Sequence, residues 1–206
     1  MTVEIENGFA EVGEGEWLMA PRQPAVFAGA AVRRPRRGWR VPDRARLSLV
    51  SVSGGKAKCA ASHAPFLTFI PCAAPVSAVS SKVLVAPAAA RSGAQTVRTI
   101  PMSVKGSFCA TVFASEWVVL ATASRTARVN VADGETLSVR PESVAAWTGP
   151  LPTGFCPKLG IWDVLLPRGP RDLLLHFHGP CTVWAEGSGG AASAAPFARD
   201  ARRRVF

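Results

Sequence analysis

The chain has 206 residues, with 24 lysines and arginines against 14 acidic residues, a formal net charge of +10 and no tyrosine. That length permits a well-buried core, as one domain or as two or three small packed units, and no segment needs a disulfide or metal to fold. Nineteen arginines against five lysines favour polyanionic partners such as RNA or an acidic membrane surface, while five cysteines without a CxxC pair argue against a secreted disulfide framework.

The first twenty residues hold five glutamates and no lysine or arginine, the reverse of an arginine-rich presequence, and nothing resembles a secretory signal. A mitochondrial import signal would be missing from this sequence, internal, or already removed. Val3-Glu-Ile-Glu6 alternates as a first strand, and Glu16-Trp-Leu-Met19 reads as a second after the Gly13/Gly15 turn. Between positions 21 and 60 the sign inverts, with ten lysines and arginines set against Asp43 alone. Inside this stretch Arg33-Arg-Pro-Arg-Arg-Gly-Trp-Arg40 is broken by Pro35, Gly38 and then Pro42, so residues 30–46 are expected to form a loop or extended arm.

Leu47 to Val52 alternates toward Gly54-Gly55, and Phe66 to Ile70 and Lys82 to Val85 read as further strands, followed by a small-residue linker from Ala86 to Gly93. The uncharged run from Ala64 to Ser81 is just long enough to raise a membrane span. Pro65, Pro71 and Pro75 would each delete a helical hydrogen bond that lipid cannot replace, so strands and turns are expected instead. Phe108 to Phe113 and Trp117 to Ala121 are rich in β-branched and aromatic residues. Val129 and Val131 then alternate toward Asp133-Gly134, and Leu137 and Val139 alternate away from it, which predicts a β-hairpin. A second hairpin is predicted from Leu173 to Phe177 and Thr182 to Ala185 around His178-Gly-Pro-Cys181. Gly149 to Pro157 reads as a loop, Gly187 to Pro196 as a flexible tract and Arg199 to Phe206 as a basic tail.

No helix longer than about two turns is expected. The strand and turn units recur at roughly 60 to 70 residues, which suits stacked similar units. The boundaries read from the sequence are an N-terminal β portion at 1–95 with the basic arm, a β domain at 96–187, and a tail at 188–206.

The apolar strand leading into Gly134-Glu135, the strand ending in Ala146-Trp147, and the closing Gly179-Pro-Cys-Thr-Val-Trp184 together resemble the altered-inheritance-of-mitochondria family of proteins, which are similar to the tryptophan RNA-binding attenuation protein (TRAP-like). Cys181 stands where that family usually has glycine. The resemblance covers about residues 105 to 187; Gly13 to Pro21 looks like another copy of the turn and strand, and residues 30 to 95 match little. It implies an all-β, TRAP-like double-stranded β-helix or sandwich with two or three units stacked in one chain, mitochondrial location, and homo- or hetero-trimers or rings joined through strand edges.

His176 and His178 lie two apart, on one face of a strand, and with Cys181 nearby they are the residues a zinc or cupin-like metal site would use. A cupin would place a glutamate a few residues on, whereas Glu186 lies well beyond, so surface or subunit-contact histidines are the expectation and no cofactor is expected. Cys59 with His63 has the spacing of a thiol and base, but without an orienting third group both are expected in a solvated loop. Asp133 and Glu135 are expected to shape a turn and face water. The arginine cluster carries the stronger reading, because guanidinium forks bridge phosphate oxygens and an indole stacks on a base. The nucleic-acid-binding residues expected are Arg33, Arg34, Arg36, Arg37, Trp39, Arg40 and Arg44, with Arg202, Arg203 and Arg204. The expected function is a non-catalytic structural subunit of a large mitochondrial ribonucleoprotein, foremost the mitochondrial ribosome, contacting RNA and neighbouring proteins and no small-molecule substrate. The alternatives are a scaffold of the mitochondrial inner membrane and a cupin-like metal enzyme.

Overall fold

A computed structural model describes residues 3–6, 8–19, 25–28, 31–33, 47–61, 64–88, 97–101, 107–114, 116–155, 174–187 and 198–200. Those residues form an all-β protein of four antiparallel sheets. In chain order the strands are β1 (Val3–Glu6), β2 (Phe9–Val12), β3 (Gly15–Met19), β4 (Ala25–Ala28), β5 (Ala31–Arg33), β6 (Ser48–Ser53), β7 (Ala57–Ala61), β8 (Phe66–Pro71), β9 (Val76–Val79) and β10 (Val83–Pro87). They continue as β11 (Val97–Pro101), β12 (Ser107–Phe113), β13 (Trp117–Thr122), β14 (Thr126–Val131), β15 (Thr136–Val139), β16 (Val144–Thr148), β17 (Thr153–Phe155), β18 (Leu174–His178), β19 (Cys181–Glu186) and β20 (Ala198–Asp200).

Sheet 1 has the order β1-β2-β7-β4, sheet 2 β5-β6-β3-β10-β13-β8, sheet 3 β11-β12-β9-β16-β19-β14 and sheet 4 β17-β18-β15-β20. These orders contain one six-strand path walked three times. Calling its strands a to f, the first copy is β2 to β7, the second β8 to β13 and the third β14 to β19. In every copy a, f and c lie together in one sheet and d, e and b in the next. The b strand of one copy then pairs with the c strand of the following copy, β3 with β10 and β9 with β16, and so welds the copies into continuous sheets. Because β13 also pairs with β8 and β10, hydrogen bonding runs unbroken across position 95, where the sequence reading put a unit boundary.

Both predicted hairpins prove to be connections between sheets. β14 pairs with β19 in sheet 3, while β15 pairs with β18 in sheet 4, so Asp133-Gly134 lifts the chain from one sheet to the next, with Gly134 at φ +76°. Likewise β18 and β19 lie in sheets 4 and 3, and residues 179–180 carry the chain back. Period-two alternation marks one inward face per strand but does not name the strand alongside; the short turn that closes a hairpin can also span two sheets packed about 10 Å apart. Strands consecutive in the chain that do pair with one another are β1 with β2 and the d–e pair of each copy, β5 with β6, β11 with β12 and β17 with β18.

Three hydrophobic cores fill the spaces between the four sheets. The first gathers Val12, Trp17, Val52 and Trp117 between sheets 1 and 2; the second Ile70, Val76, Phe113 and Leu120 between sheets 2 and 3; the third Leu137, Trp147, Leu175 and Phe177 between sheets 3 and 4. Sheets 2 and 3 are therefore covered on both faces at their centres. β13 shows the consequence, since Trp117, Val119 and Ala121 enter the first core and Val118 and Leu120 the second, leaving all six of its residues buried. The c strands reach both cores through a bulge. In β16 the register slips between Val144 and Ala146, so Val144 and Trp147 face the third core while Ala145 and Ala146 face the second, and β10 repeats the pattern at 83–86.

The second and third copies are also pinned by Lys82, in the short 3-10 turn Ser80–Lys82 before β10. Its ammonium donates to the carbonyls of Glu142 (2.7 Å) and Val144 (2.9 Å) and pairs with the Glu186 carboxylate, which also accepts from the Ala123 N–H at 3.0 Å. With side chains only 17% and 13% exposed, the charges satisfy one another inside the protein.

Candidate functional site

Strand direction gives the stack two chemically different ends. The a strands run toward, and the b strands away from, the end where the a–b and e–f connections turn; the d–e hairpins close at the opposite end. At the first end, one glutamate bridges the two connections of each copy. Glu14 Oε1 accepts from the Gly54 and Gly55 N–H groups (2.9 and 2.8 Å), the Glu116 carbonyl accepts from the Cys72 N–H (2.9 Å), and the Glu135 carbonyl accepts from the Gly179 N–H (3.0 Å). The amides of Gly54-Gly55 form an anion-binding concavity already occupied by this carboxylate. Glu135 also takes the Ala132 N–H at 3.2 Å, and it and Asp133 face water while shaping the turn, as expected. At Gly179 a Cβ would lie 1.8 Å from the Ala132 carbonyl oxygen, so only glycine allows the two connections to meet. The Gly-Glu and Gly-Pro motifs, distant in sequence, are thus one packed unit.

His176 and His178 project from β18 on the face opposite Leu175 and Phe177, which enter the third core. His178 is exposed, with Nδ1 3.0 Å from the Thr136 hydroxyl and Nε2 3.3 Å from that of Thr153. Both ring nitrogens thus have hydroxyl partners. His176 is half-buried, and Cys181 begins the next strand, in sheet 3, beside Gly149. Among the described residues no group of three or more His, Cys, Asp or Glu side chains is placed to hold a metal ion.

The thiols sit in apolar surroundings. Cys59 is fully buried on β7 with its S–H 3.0 Å from the Ala10 carbonyl, and burial pushes it up to about 12; Cys72 is pushed up to about 11 and Cys181 upward, also by burial. The expectation of Cys59 in a solvated loop is therefore wrong. The small residues around it looked loop-like, yet small residues are what an inner strand face against Trp17 and Val12 accommodates. His63, its suggested partner, lies outside the described residues.

Of the expected nucleic-acid-binding residues, the structure describes Arg33 alone, as the last residue of β5 opposite Ser51. Arg34, Arg36, Arg37, Trp39, Arg40, Arg44, Arg202, Arg203 and Arg204 lie outside the described residues. The strands bounding them still fix where the chain departs. β5 ends, and β6 returns, at the d–e hairpin end, whereas β20 ends with Asp200 opposite Thr136, at the glutamate end. The described strands that precede the two arginine clusters therefore end at opposite ends of the stack.

The hairpin end also presents Arg125 and Arg140, and Arg128 projects from the middle of β14; all three are exposed. Arg128 lies over the Trp184 ring, 5.8 Å from its centroid, combining a guanidinium with an indole on one sheet. Sequence reasoning missed this pair because it follows from β14 pairing with β19, where Arg128 faces Trp184, and the alternation had pointed to β15. At the glutamate end of sheet 1, Lys56 pairs with Glu11 (2.8 Å) and Glu4 (3.5 Å). Its hydrogen bond holds the Glu11 carboxyl below its usual range, and Glu11 in turn holds the Lys56 ammonium above its own.

No protein-family profile matches the chain, and no curated protein sequence matches it. No described helix is long and apolar enough to cross a membrane.

Proposed function

We propose that the protein is a non-catalytic structural subunit that binds RNA with the hairpin end of its stack. The observation that carries this reading is where the chain leaves its scaffold: β5 ends, and β6 returns, at the hairpin end, where Arg125 and Arg140 are exposed beside Glu6 and Glu142, while Glu14, Glu116, Asp133 and Glu135 are exposed with Lys56 at the other. In repeat architectures, insertions on one face are commonly the binding face, and the 34–47 segment is such an insertion in the first d–e hairpin. Guanidinium groups held by a rigid scaffold neutralise phosphates and release counterions, while indoles stack on bases without sequence preference. The TRAP-like resemblance extends the reading to a large mitochondrial ribonucleoprotein, foremost the mitochondrial ribosome.

The test replaces Arg33, Arg34, Arg36 and Arg37 with glutamine in the full chain and measures single-stranded RNA affinity against salt. Affinity is expected to fall, and the slope of log affinity on log salt to shrink by roughly 0.7 per lost phosphate contact, with melting unchanged. Replacing Arg202, Arg203 and Arg204 is expected to have the smaller effect, because they follow a strand that ends opposite the hairpin end. Unchanged salt-dependent retention in the first variant defeats the proposal. Ribonuclease-insensitive, carbonate-resistant attachment of the endogenous protein to inner membranes would replace it with the membrane scaffold.

A further inference from the structure

The three copies of the six-strand path leave one position open at each end of the stack. In sheets 2 and 3 the b strand is followed by the c strand of the next copy. In sheet 4 the third b strand, β15, has no following copy, and β20 lies there instead. The substitution is exact in register: Val76, Ser77 and Ala78 of β9 face Thr148, Trp147 and Ala146 of β16, and Thr136, Leu137 and Ser138 of β15 face Asp200, Arg199 and Ala198. Both pairings are antiparallel, so β20 imitates the c strand of a fourth copy. At the other end, the first c strand, β4, pairs with β7 along one edge. Its equivalents β10 and β16 pair along both edges, but among the described residues β4 has no strand on its second side.

We propose that β20 is a removable plug, and that the edge of β15 beneath it accepts β4 of a second copy of this chain. The union would reproduce the junction already present twice within the chain, which is the argument for this occupant. It joins unlike surfaces, tail to head, so it adds chains one after another in a row, which becomes a ring only where the rotation per chain closes. While β20 is in place, its tether through residues 187–197 gives it an effective concentration on the order of millimolar, which micromolar protein cannot outcompete. Displacing β20 exposes an unpaired edge of the kind that templates assembly.

The experiment uses the full chain carrying Arg199→Pro and Asp200→Pro, which remove backbone donors at both alternating positions of β20. Sedimentation velocity at micromolar concentration is expected to change from one species to a concentration-dependent ladder. Excess synthetic peptide spanning residues 23–30, which contains β4, is expected to return the ladder to single chains, and to bind this variant at least tenfold more tightly than the unmodified protein. The near-ultraviolet signal of the buried tryptophans reports that the cores are intact. If the prolines abolish that signal, Ala198→Gly with Arg199→Gly, which loosens the strand without removing a donor, is read in the same way. A variant that keeps its tryptophan signal and remains a single species, or a ladder the peptide leaves unchanged, overturns the proposal.

Discussion

β13 and β14 follow one another in the chain, yet they obey different rules. β13 is apolar at both alternating positions and buried throughout, whereas β14 is mostly exposed, with Val131 its one fully buried residue. Strand propensity does not separate them, since both are rich in β-branched residues. Position does: β13 sits inside sheet 2 between two cores, and β14 forms the edge of sheet 3. In a four-sheet stack, a strand's tolerance of polar residues is set by how many cores it faces.

The comparison is tested hardest at Trp147, which fills the third core against Phe177 and donates its indole N–H to the Pro150 carbonyl at 3.0 Å. Trp147→Ala is expected to cost about 3–5 kcal/mol in denaturant unfolding, since the cavity cannot collapse between two sheets. Less than about 1 kcal/mol would show that the inner sheets are not the rigid part.

Lys82→Met comes next, at about 2–4 kcal/mol, because it strands the Glu186 carboxylate inside the protein. Adding Glu186→Leu should recover much of that loss, and strict additivity in the double-mutant cycle would refute the coupling.

A smaller effect is expected at Cys59. Its thiol is raised by burial to about 12 from an ordinary 9.0, so the unfolded chain loses this proton before the folded one. Stability is thus fully present below about pH 9 and falls as the pH rises toward 12, and Cys59→Ala should flatten that limb of the profile. Alkylation of Cys59 in native protein near pH 8 as fast as in unfolded chain would contradict its placement.

The smallest effect is expected at Phe9, on the outer face of sheet 1 opposite Glu6 and 44% exposed. Phe9→Thr should change stability by no more than about 0.5 kcal/mol. A loss comparable to that at Trp147 would mean this face is covered by something.

Much of the fold was legible in the residues themselves. Alternation together with β-branched and aromatic content located β3, β6, β8, β13 and β19 closely, and the Gly13-Glu14 and Gly134-Glu135 turns marked two of the three glutamate bridges. The second bridge was hidden because Glu116 adopts a positive φ of 68° without a glycine to announce it. The short strand β2 escaped notice, as a four-residue strand beside glycines carries little periodic signal. At the candidate site, the arginine content of residues 33–46 was plain, but its departure from the opposite end to β20 was not, because that depends on strand direction within sheets.

The sequence by itself determined that this chain is built of strands, that their apolar faces need partners, and where its positive charge is concentrated, since side-chain period and composition are local properties. The tertiary structure alone decided that Asp133-Gly134 changes sheets, that β3 pairs with β10, and that β20 occupies the place of another copy's strand. Those choices rest on backbone hydrogen bonds, whose donors and acceptors are nearly the same at every residue, so only the packing of the whole chain selects which strands lie together.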